Sequence, residues 1–392
     1  ATSWRRVDAR TLDLTLRQGV KFHDGSVLTA EDIAFSFADR LFGTQGATGA
    51  GRTTILAGTA TKEPPAEVIA VGRRTYPGLE RVEVLDAQTV RFVNRMPDVT
   101  LEGRIAQSVG AIFSRAAFAR SDTWLGWGRA PIGTGPYRIY RPLPHSVVLR
   151  PVLPDTAEDM DEDALQRMER RIRGEEAAMA VARFAAGDAD LVLGGTFNSY
   201  PLALASEVNP RQIRRDAVPG LLGLVPARAD GPIADRDVRR ALAMAINRTA
   251  FVQRYALPGW RATDAMLPAP IGTFIQAVPD WATLDRPARL DRARRLIGTS
   301  DITLRVALPD GPGGRLLFAQ LAADWRQIGV RAVRVGRNEA ADLRLIDAVA
   351  PVSVATWYLG RFRCPGLPMC SQTVTSTLSI LRRAKLEERP RL

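Results

Sequence analysis

Residues 302–335 constrain the fold more than any other part of the sequence. Apolar and polar residues alternate over Ile302–Leu308, which predicts a strand with one buried face. Apolar residues then recur at helical spacing over Leu317–Ile328, Gly329 is typical of a helix end, and "VRAVRV" predicts a second strand. A strand, a helix and a strand in this order form a crossover between parallel strands. The chain is therefore predicted to be an α/β protein.

The segment "LRQGVKFHDGSVLTAEDIAFSF", residues 16–37, raises the first question about function. Its "DG" pair is typical of a turn, because glycine takes a positive φ without steric cost. Thr29 and Asp32 have the spacing of a capping box. The apolar period beyond them predicts a helix of about 13 residues that ends at Gly43. Every residue of the segment thus has a structural explanation.

The histidine of this segment is also compatible with a metal or acid–base site. His23 and His145 are the only histidines in the chain, so a two-histidine site requires distant residues to converge. A ligating histidine normally has a partner for its second ring nitrogen, and the sequence identifies none. A packed, hydrogen-bonded histidine is the favoured interpretation.

Other elements are predicted from the same kinds of signal. They are a loop over residues 43–61, a strand pair at 82–84 and 90–92, a turn and strand at "GTGPYRIY", a helix over 175–186 followed by an apolar strand "ADLVLGG", an amphipathic helix that buries Val238, Leu242, Ala245 and Ile246, and a strand at "ADLRLIDAV". A chain of 392 residues with these elements is expected to form two or three domains.

The charge of the chain is strongly positive. Lys and Arg number 54 against 42 Asp and Glu, a net charge of +12, but the arginines are dispersed along the sequence. A nucleic-acid-binding surface is expected to be clustered and interleaved with aromatic residues, so no nucleic-acid partner is expected. A basic protein that binds an anionic polymer or a membrane surface remains the alternative interpretation, and steep salt dependence of binding is its signature.

The motifs of common enzymes and metal sites are not found in the sequence. G-x-S-x-G, P-loop and H-E-x-x-H patterns do not occur, and no cofactor or metal is expected. A hydrolase that uses a serine with His23 or His145 is the enzyme alternative. Cys364 and Cys370 are compatible with a local disulfide or with two free thiols. The sequence has no run of 18 apolar residues.

Seven segments, in order, resemble a known family. They are "LRQGVKFHDGSVLTAEDIAFSF", "GTGPYRIY", "AAGDADLVLGG", "GPIADRDVRRALAMAINR", "TDAMLPAPIGTF", "RLDRARRLI" and "LAADWRQIGVRAVRV", between about Leu12 and Val335. The chain is identified as similar to the bacterial extracellular solute-binding proteins of family 5, the dipeptide-, oligopeptide- and nickel-binding components of ABC importers. The resemblance implies a two-lobed α/β fold of the periplasmic-binding-protein type (class II, cluster C-like), with a hinge and central mixed sheets.

The resemblance also implies a domain plan and a function. Residues 1–232 are expected to form the first lobe, with a small inserted subdomain at about 30–130, and residues 233–392 an incomplete second lobe. The family captures a peptide or another small solute between the lobes and passes it to permease subunits in the membrane, without catalysis. A periplasmic monomer is expected, with parts of both ends and the signal peptide outside this sequence. A truncated or degenerate member without a transport ligand is the alternative.

One departure of this sequence from the family pattern suggests candidate ligand-binding residues. Peptide-binding members carry an acidic residue in a "DYPDP"-like loop that pairs with the amino terminus of the peptide. That position falls near Pro351 here, and the closest acid is Asp347, which disfavours ordinary peptide recognition because an unpaired buried ammonium is costly. Trp357, Tyr358, Arg361 and Arg363 are instead candidates for binding an acidic or aromatic solute.

Packing of the two aromatic rings in the second lobe is the alternative, and it is slightly favoured. A second candidate cleft edge is "GGTFNSY", which contains Phe197 and Asn198 and follows the predicted strand "ADLVLGG". Ligands of α/β sheets bind at the carboxyl ends of strands.

Overall fold

The structure is a computed structural model. It describes residues 1–42, 64–98, 100–121, 124, 131–153, 160–216, 218–255, 259–267, 277–350 and 354–383. The chain divides into two compact units, Ala1–Gly174 and Glu175–Leu392. The loop predicted over residues 43–61 lies outside the described residues.

The first unit contains two antiparallel sheets, in the strand orders β1-β2-β4-β3 and β5-β6-β7. Its elements are β1 (Ser3–Asp8), β2 (Thr11–Thr15), α1 (Ala30–Ala34), a π turn (Phe35–Asp39), α2 (Arg40–Phe42), α3 (Ala66–Thr75), β3 (Leu79–Asp86), β4 (Thr89–Asn94), α4 (Leu101–Ile105), α5 (Arg115–Arg120), β5 (Tyr137–Leu143), β6 (Ser146–Pro151), α6 (Glu162–Met168) and β7 (Arg170–Arg173). The main core lies between the first sheet and the helical segment that begins at Ala30.

The predicted capped helix is confirmed up to Phe42. The Asp32 carboxylate accepts the backbone N–H of Thr29 at 3.0 Å, as the capping box requires, and also the backbone N–H of Arg115 at 2.9 Å. The helix is not uniform, because its central turn, Phe35–Asp39, is π-helical. Gly43 lies outside the described residues.

The histidine and aspartate of the same segment hydrogen-bond to neighbouring parts of the first unit. His23 donates its backbone N–H to Gly133 O and its ring Nε2 to Gly135 O, both at 2.9 Å. The Asp24 carboxylate accepts the Ser26 hydroxyl at 2.6 Å and the Arg120 guanidinium at 2.7 Å. These contacts give the segment a structural role, since they join it to the "GTGPYRIY" turn.

The second unit is built on a mixed sheet in the order β10-β9-β11-β8, in which β10 and β11 run parallel to β9 and β8 runs antiparallel to β11. Its elements are α7 (Ala177–Ala185), α8 (Tyr200–Ala205), β8 (Gly220–Pro226), α9 (Arg236–Ala245), α10 (Arg248–Tyr255), α11 (Arg286–Ile297), β9 (Ile302–Ala307), α12 (Pro312–Arg326), β10 (Val330–Val335), β11 (Leu343–Val349), α13 (Ala355–Gly360) and α14 (Gln372–Arg383). The predicted parallel strand–helix–strand unit is confirmed as β9, α12 and β10.

One buried carboxylate joins the helices of this unit. Asp324 on α12 is 2% exposed. It accepts the Arg286 guanidinium at 2.9 Å and the backbone N–H of Asn247 at 2.8 Å. The neighbouring Trp325 is fully buried and donates its ring N–H to Leu242 O at 3.1 Å. The starts of α10 and α11 are therefore held on α12 by charge-assisted hydrogen bonds.

The strand predicted at "ADLVLGG" is wrong. Residues 189–195 form no strand, and Leu191 and Leu193 are 68% and 81% exposed. An apolar run forms a strand only if another strand pairs with it. None of the strands in the described residues pairs with residues 189–195.

The compact units also differ from the predicted lobe boundaries. β8 lies before residue 232, yet it pairs with β11 of the second unit over its whole length. Within the range 30–130, β4 pairs with β2, so the described part of this range shares a sheet with the start of the chain. The resemblance to the family suggested the boundaries, whereas long-range strand pairing determines the compact units. The functional lobes themselves remain a prediction.

Candidate functional site

The carboxyl end of β11 extends past the end of its neighbour β9. β9 ends at Ala307, which pairs with Arg344. β11 continues to Val349, and over these last residues it is paired with β8 alone among the described strands. The strand therefore has an open edge over residues 346–349, at the end of the parallel strands where ligands of α/β sheets bind.

Backbone groups are available along this open edge. Ala350 donates its N–H to Pro219 O, on the β8 side, at 2.9 Å. Successive residues of a strand direct their backbone groups to opposite sides. The N–H and C=O groups of Asp347 and Val349 therefore point away from β8, toward an edge where the structure describes no further strand.

Asp347, a predicted site residue, lies on this edge. Its side chain shares a face with Leu343, which is buried in the core, and with Leu345, which packs against that core. The carboxylate thus follows a row of apolar side chains, although it remains exposed. Partial desolvation raises the pKa of Asp347, and the positive charge of Arg337 opposes this increase in part.

Trp357, Tyr358 and Arg361 lie together on and just after α13. Tyr358 is fully buried, and its ring meets the half-buried Trp357 ring edge-on, with centroids 4.8 Å apart. The guanidinium carbon of Arg361 lies 4.4 Å from the centre of the Trp357 ring. A guanidinium stacked in this way keeps its in-plane N–H groups available for a carboxylate. Tyr358 therefore packs within the protein, and the role of Arg361 in binding stays a prediction.

A disulfide fixes the chain after α13. Cys364 and Cys370 are bonded to each other, so of the two alternatives left open by the sequence the structure contains the disulfide. Ser371 donates its N–H to Phe362 O at 2.7 Å, and Cys364 donates its N–H to the Thr375 hydroxyl at 2.9 Å. The short ring thus links α13 to the start of α14.

Phe197 and Asn198 lie elsewhere in the second unit. The Phe197 ring is 5% exposed and packs in the core against Tyr255. The side-chain amide of Asn198 donates to Asp310 O at 2.8 Å, and its oxygen accepts the N–H of Gly314 at 2.8 Å. Both side chains are engaged within the protein, and their role as a cleft edge stays a prediction.

The predicted site residues thus fall into three groups. Asp347 is on the edge of β11, the α13 residues contact one another, and Phe197 and Asn198 hold the start of α12. The open edge of β11 was missed by the sequence analysis, because it consists of backbone groups. In the part of the chain that the structure describes, no three His, Cys, Asp or Glu side chains are grouped as metal ligands, and no helix is long and apolar enough to cross a membrane.

Comparison with known proteins gives a family and several relatives. Residues 1–358 match the family described as bacterial extracellular solute-binding proteins, family 5 Middle. Di/tripeptide-binding protein 3 of Pseudomonas aeruginosa is 26% identical over 363 residues, covering 83% of this chain and 60% of that protein. The periplasmic murein peptide-binding protein MppA of Escherichia coli is 27% identical over 268 residues, covering 67% of this chain and 48% of that protein. The chain therefore spans 60% or less of the length of these two relatives.

Solved structures share the fold. The murein tripeptide binding protein MppA of Escherichia coli aligns with a TM-score of 0.71 at 19% identity, over 99% of this chain and 79% of that chain. Haemophilus influenzae OppA in complex with the peptide RPPGFSPFR aligns with a TM-score of 0.71 at 15% identity, over 100% of this chain and 80% of that chain. These likenesses confirm the predicted two-lobed type of periplasmic-binding-protein fold.

The family is described by solute binding, which agrees with the interpretation of this chain as a binding protein rather than an enzyme. The match covers the first compact unit and most of the second, since it begins at residue 1 and extends to residue 358. The chain belongs to the bacterial extracellular solute-binding proteins of family 5.

Proposed function

We propose that this protein is the solute receptor of an ABC importer. It captures a short peptide between its two lobes in the periplasm and delivers it, as a monomer, to permease subunits in the membrane. The family supports solute capture, and the names of two relatives, a di/tripeptide-binding protein and a murein peptide-binding protein, support a peptide as the solute. Closure of the lobes then signals occupancy, because the ligand favours one of two global states.

The open edge of β11 is the observation that carries this proposal. A peptide in an extended conformation can add to such an edge, and main-chain hydrogen bonds then provide affinity that does not depend on its sequence. Asp347 and Val349 offer the required backbone donors and acceptors. A receptor for peptides of varied sequence needs this kind of contact.

Charged side chains are proposed to select the ends of the peptide. The Asp347 carboxylate, on the open edge, binds the terminal ammonium and replaces the acid that relatives carry nearer to Pro351, a position outside the described residues. Arg361, stacked on Trp357, binds a carboxylate with its in-plane N–H groups. A zwitterionic di- or tripeptide satisfies both groups, which is the physical reason for proposing short peptides.

Calorimetric titration with blocked peptides tests these assignments. The probes are trialanine, N-acetyl-trialanine and trialanine amide, and the variants are Asp347→Asn and Arg361→Ala. Acetylation is expected to weaken binding to the wild type by about tenfold or more and to have little effect on Asp347→Asn, because charge-assisted hydrogen bonds contribute about 1.5–3 kcal/mol. Amidation of the carboxyl terminus is expected to weaken binding to the wild type by a similar factor and to have little effect on binding to Arg361→Ala.

Arg363, the second candidate arginine of this segment, provides the matched comparison for this experiment. It lies two residues from Arg361 and is exposed, so Arg363→Ala is expected to bind all three probes as the wild type does. Equal effects of Arg361→Ala and Arg363→Ala would assign the loss to net charge alone. If the wild type binds neither trialanine nor any member of a di- and tripeptide panel, the peptide-receptor proposal is wrong.

The disulfide supports the proposed location. Disulfides persist in oxidising compartments such as the periplasm, and the two cysteines of this chain are paired. Expression with and without access to the periplasm tests this point. The proposal predicts that protein kept in a reducing cytosol has free thiols at these two positions and a lower thermal stability.

The alternative of an anionic-polymer-binding protein has less support. Many of the arginine side chains form ion pairs with carboxylates, for example Arg91 with Asp13 at 2.7 Å and Arg289 with Asp264 at 3.0 Å. A guanidinium held in this way is less available to an external polyanion. The number of arginines therefore overstates the number of guanidinium groups that are available to a polyanion.

A further inference from the structure

The chain enters the core of the second unit at one well-defined point. No residue from Gly174 to Thr196 is buried, including all of α7, and Phe197 is the first buried residue of this unit. Gly187 and Gly194 have φ angles of 79° and 81°, a region that favours glycine. The entering segment therefore has few contacts that resist local opening.

A compact turn begins directly after this segment. The Thr196 C=O accepts the N–H of Ser199 at 3.1 Å and of Tyr200 at 3.0 Å, and the Ser199 hydroxyl accepts the N–H of Thr196 at 3.0 Å. The Asn198 N–H donates to the Thr196 hydroxyl at 3.2 Å. Residues 196–200 are thus held together by hydrogen bonds among themselves, and we call them the anchor turn.

The anchor turn is bound to the start of α12 by backbone and side-chain contacts. Gly313 donates its N–H to Asn198 O at 3.0 Å, and Gly314 donates its N–H to the Asn198 side-chain oxygen at 2.8 Å. The side-chain amide of Asn198 returns a hydrogen bond to Asp310 O at 2.8 Å. Asn198 therefore caps the first turn of α12 in the way that a local N-cap residue caps its own helix, although the two lie more than 100 residues apart in the sequence.

Two glycines at the start of α12, its N-cap residue Gly311 and Gly313, are required for this approach. A Cβ at Gly313 would lie 2.3 Å from Phe197 O and 2.5 Å from Asn198 Cα, and a Cβ at Gly311 would lie 2.5 Å from the Asn198 amide nitrogen. Only glycine lets the two backbones come so close. The sequence "DGPGG" is thus explained as a docking surface for the anchor turn, not as a ligand loop, because its helical N–H groups at Gly313 and Gly314 are already bonded.

We propose that Asn198 is a positioning residue that clamps the carboxyl end of the segment 174–196 onto α12. While the clamp is intact, opening of that segment stops at the anchor turn. The strands β9 and β10 are held by their own pairing and do not depend on the clamp. The role serves the proposed function, since a receptor that closes on a solute needs movement confined to defined residues. The clamp itself does not depend on which solute is bound.

Hydrogen exchange of the ligand-free full chain tests the clamp. In Asn198→Ala, the amides of Gly313 and Gly314 and those of residues 196–200 are expected to exchange about tenfold faster, because they lose their hydrogen-bond partners or their support. The amides of β9 and β10 are expected to exchange at the wild-type rate. Trypsin is also expected to cleave faster after Arg183 in α7, as opening spreads through the segment.

Two further variants keep the proposal falsifiable. Asn198→Asp retains an acceptor for the N–H of Gly314 and is expected to keep that amide protected, so that the cap is rescued even if the link to Asp310 is lost. Asn209→Ala removes a comparable but local cap, since Asn209 accepts the N–H of Arg211 at 2.9 Å, and it is expected to leave α12 unchanged. Unchanged exchange in Asn198→Ala, or a uniform increase that includes β9, would overturn the proposal.

Discussion

Removal of the Asp324 carboxylate is the most informative perturbation of the fold. This carboxylate is 2% exposed and accepts the Arg286 guanidinium, the N–H of Asn247 and, at 3.1 Å, the amide of Gln320. It joins two of the segments that resemble the family, since Asn247 is the last residue but one of "GPIADRDVRRALAMAINR" and Asp324 lies in "LAADWRQIGVRAVRV". It also holds Arg286, at the start of α11.

The size of the effect follows from burial and from what is left behind. Removing one partner of a buried ion pair costs about 3–5 kcal/mol, because the other charge stays desolvated. The Arg286 side chain is 33% exposed, so water can solvate part of it, and the lower end of that range applies. Asp324→Ala is therefore expected to lower the free energy of unfolding by about 3 kcal/mol, and Asp324→Asn, which keeps volume and one acceptor, by about 1.5–2 kcal/mol.

Urea denaturation followed by tryptophan fluorescence measures this change. For an m-value of about 2 kcal/mol/M, the midpoint of Asp324→Ala is expected to fall by about 1.5 M while m stays constant. Asp291→Ala is the control. Its ion pair with Arg294 joins side chains that are 59% and 51% exposed, so a loss below about 0.5 kcal/mol is expected. A loss for Asp324→Ala as small as for the control would refute the reasoning that this carboxylate organises the helices.

Three further predictions concern the disulfide, a buried acid and a glycine. Replacing Cys364 and Cys370 by serine should lower the free energy of unfolding by about 2 kcal/mol, the loop-entropy value for a ring of about seven residues, and a thermal melt identical to that of the wild type would contradict this. Burial raises the pKa of Asp39 from 3.8 to about 7. Between about pH 4 and pH 7 the folded protein therefore holds a proton that the unfolded chain has lost, and the free energy of unfolding falls as the pH rises through this range. Asp39→Asn should be more stable than the wild type by about 2 kcal/mol at pH 8 and equal to it at pH 4. A reversed order of the two melting temperatures at pH 8 would show that the carboxylate is stabilised by its surroundings. Gly313→Ala should destabilise the protein by about 1–3 kcal/mol because its Cβ meets Phe197 O, whereas Gly103→Ala, with no atom within 4 Å, should be neutral or slightly stabilising in the same melt.

Elements with complete local signals were predictable from the sequence. The helix after Thr29 begins where the capping pair places it, and α12 ends before Gly329, whose φ is 81°. α9 buries Val238 and Leu242 as its period predicts. In each case the residues that specify the element lie within it or next to it.

Features that depend on distant partners were not predictable. The segment 189–195 has the apolar pattern of a strand but no paired neighbour, and β8 belongs to the sheet of the second unit because of its register with β11. The π turn within the first helical segment has no signal in the hydrophobic period. Strand pairing, and the capping of a helix by a residue distant in the sequence, are determined by three-dimensional packing. No local sequence pattern identifies the two partners.

The candidate site shows the same division. Arg361 and Trp357 contact each other because they lie four residues apart on one helical face, and this spacing is visible in the sequence. Asn198 was selected as a residue at a strand end, but its partner Gly314 could not be named without the structure. The backbone edge of β11 has no side-chain signature at all.

Native mass spectrometry of protein purified from a periplasmic preparation tests the central claim most directly. The account predicts that a peptide of two or three residues remains bound, and that adding it back to the stripped protein raises the melting temperature in a concentration-dependent way. An empty protein whose melting temperature responds to no di- or tripeptide, or a retained solute that is not a peptide, would contradict it.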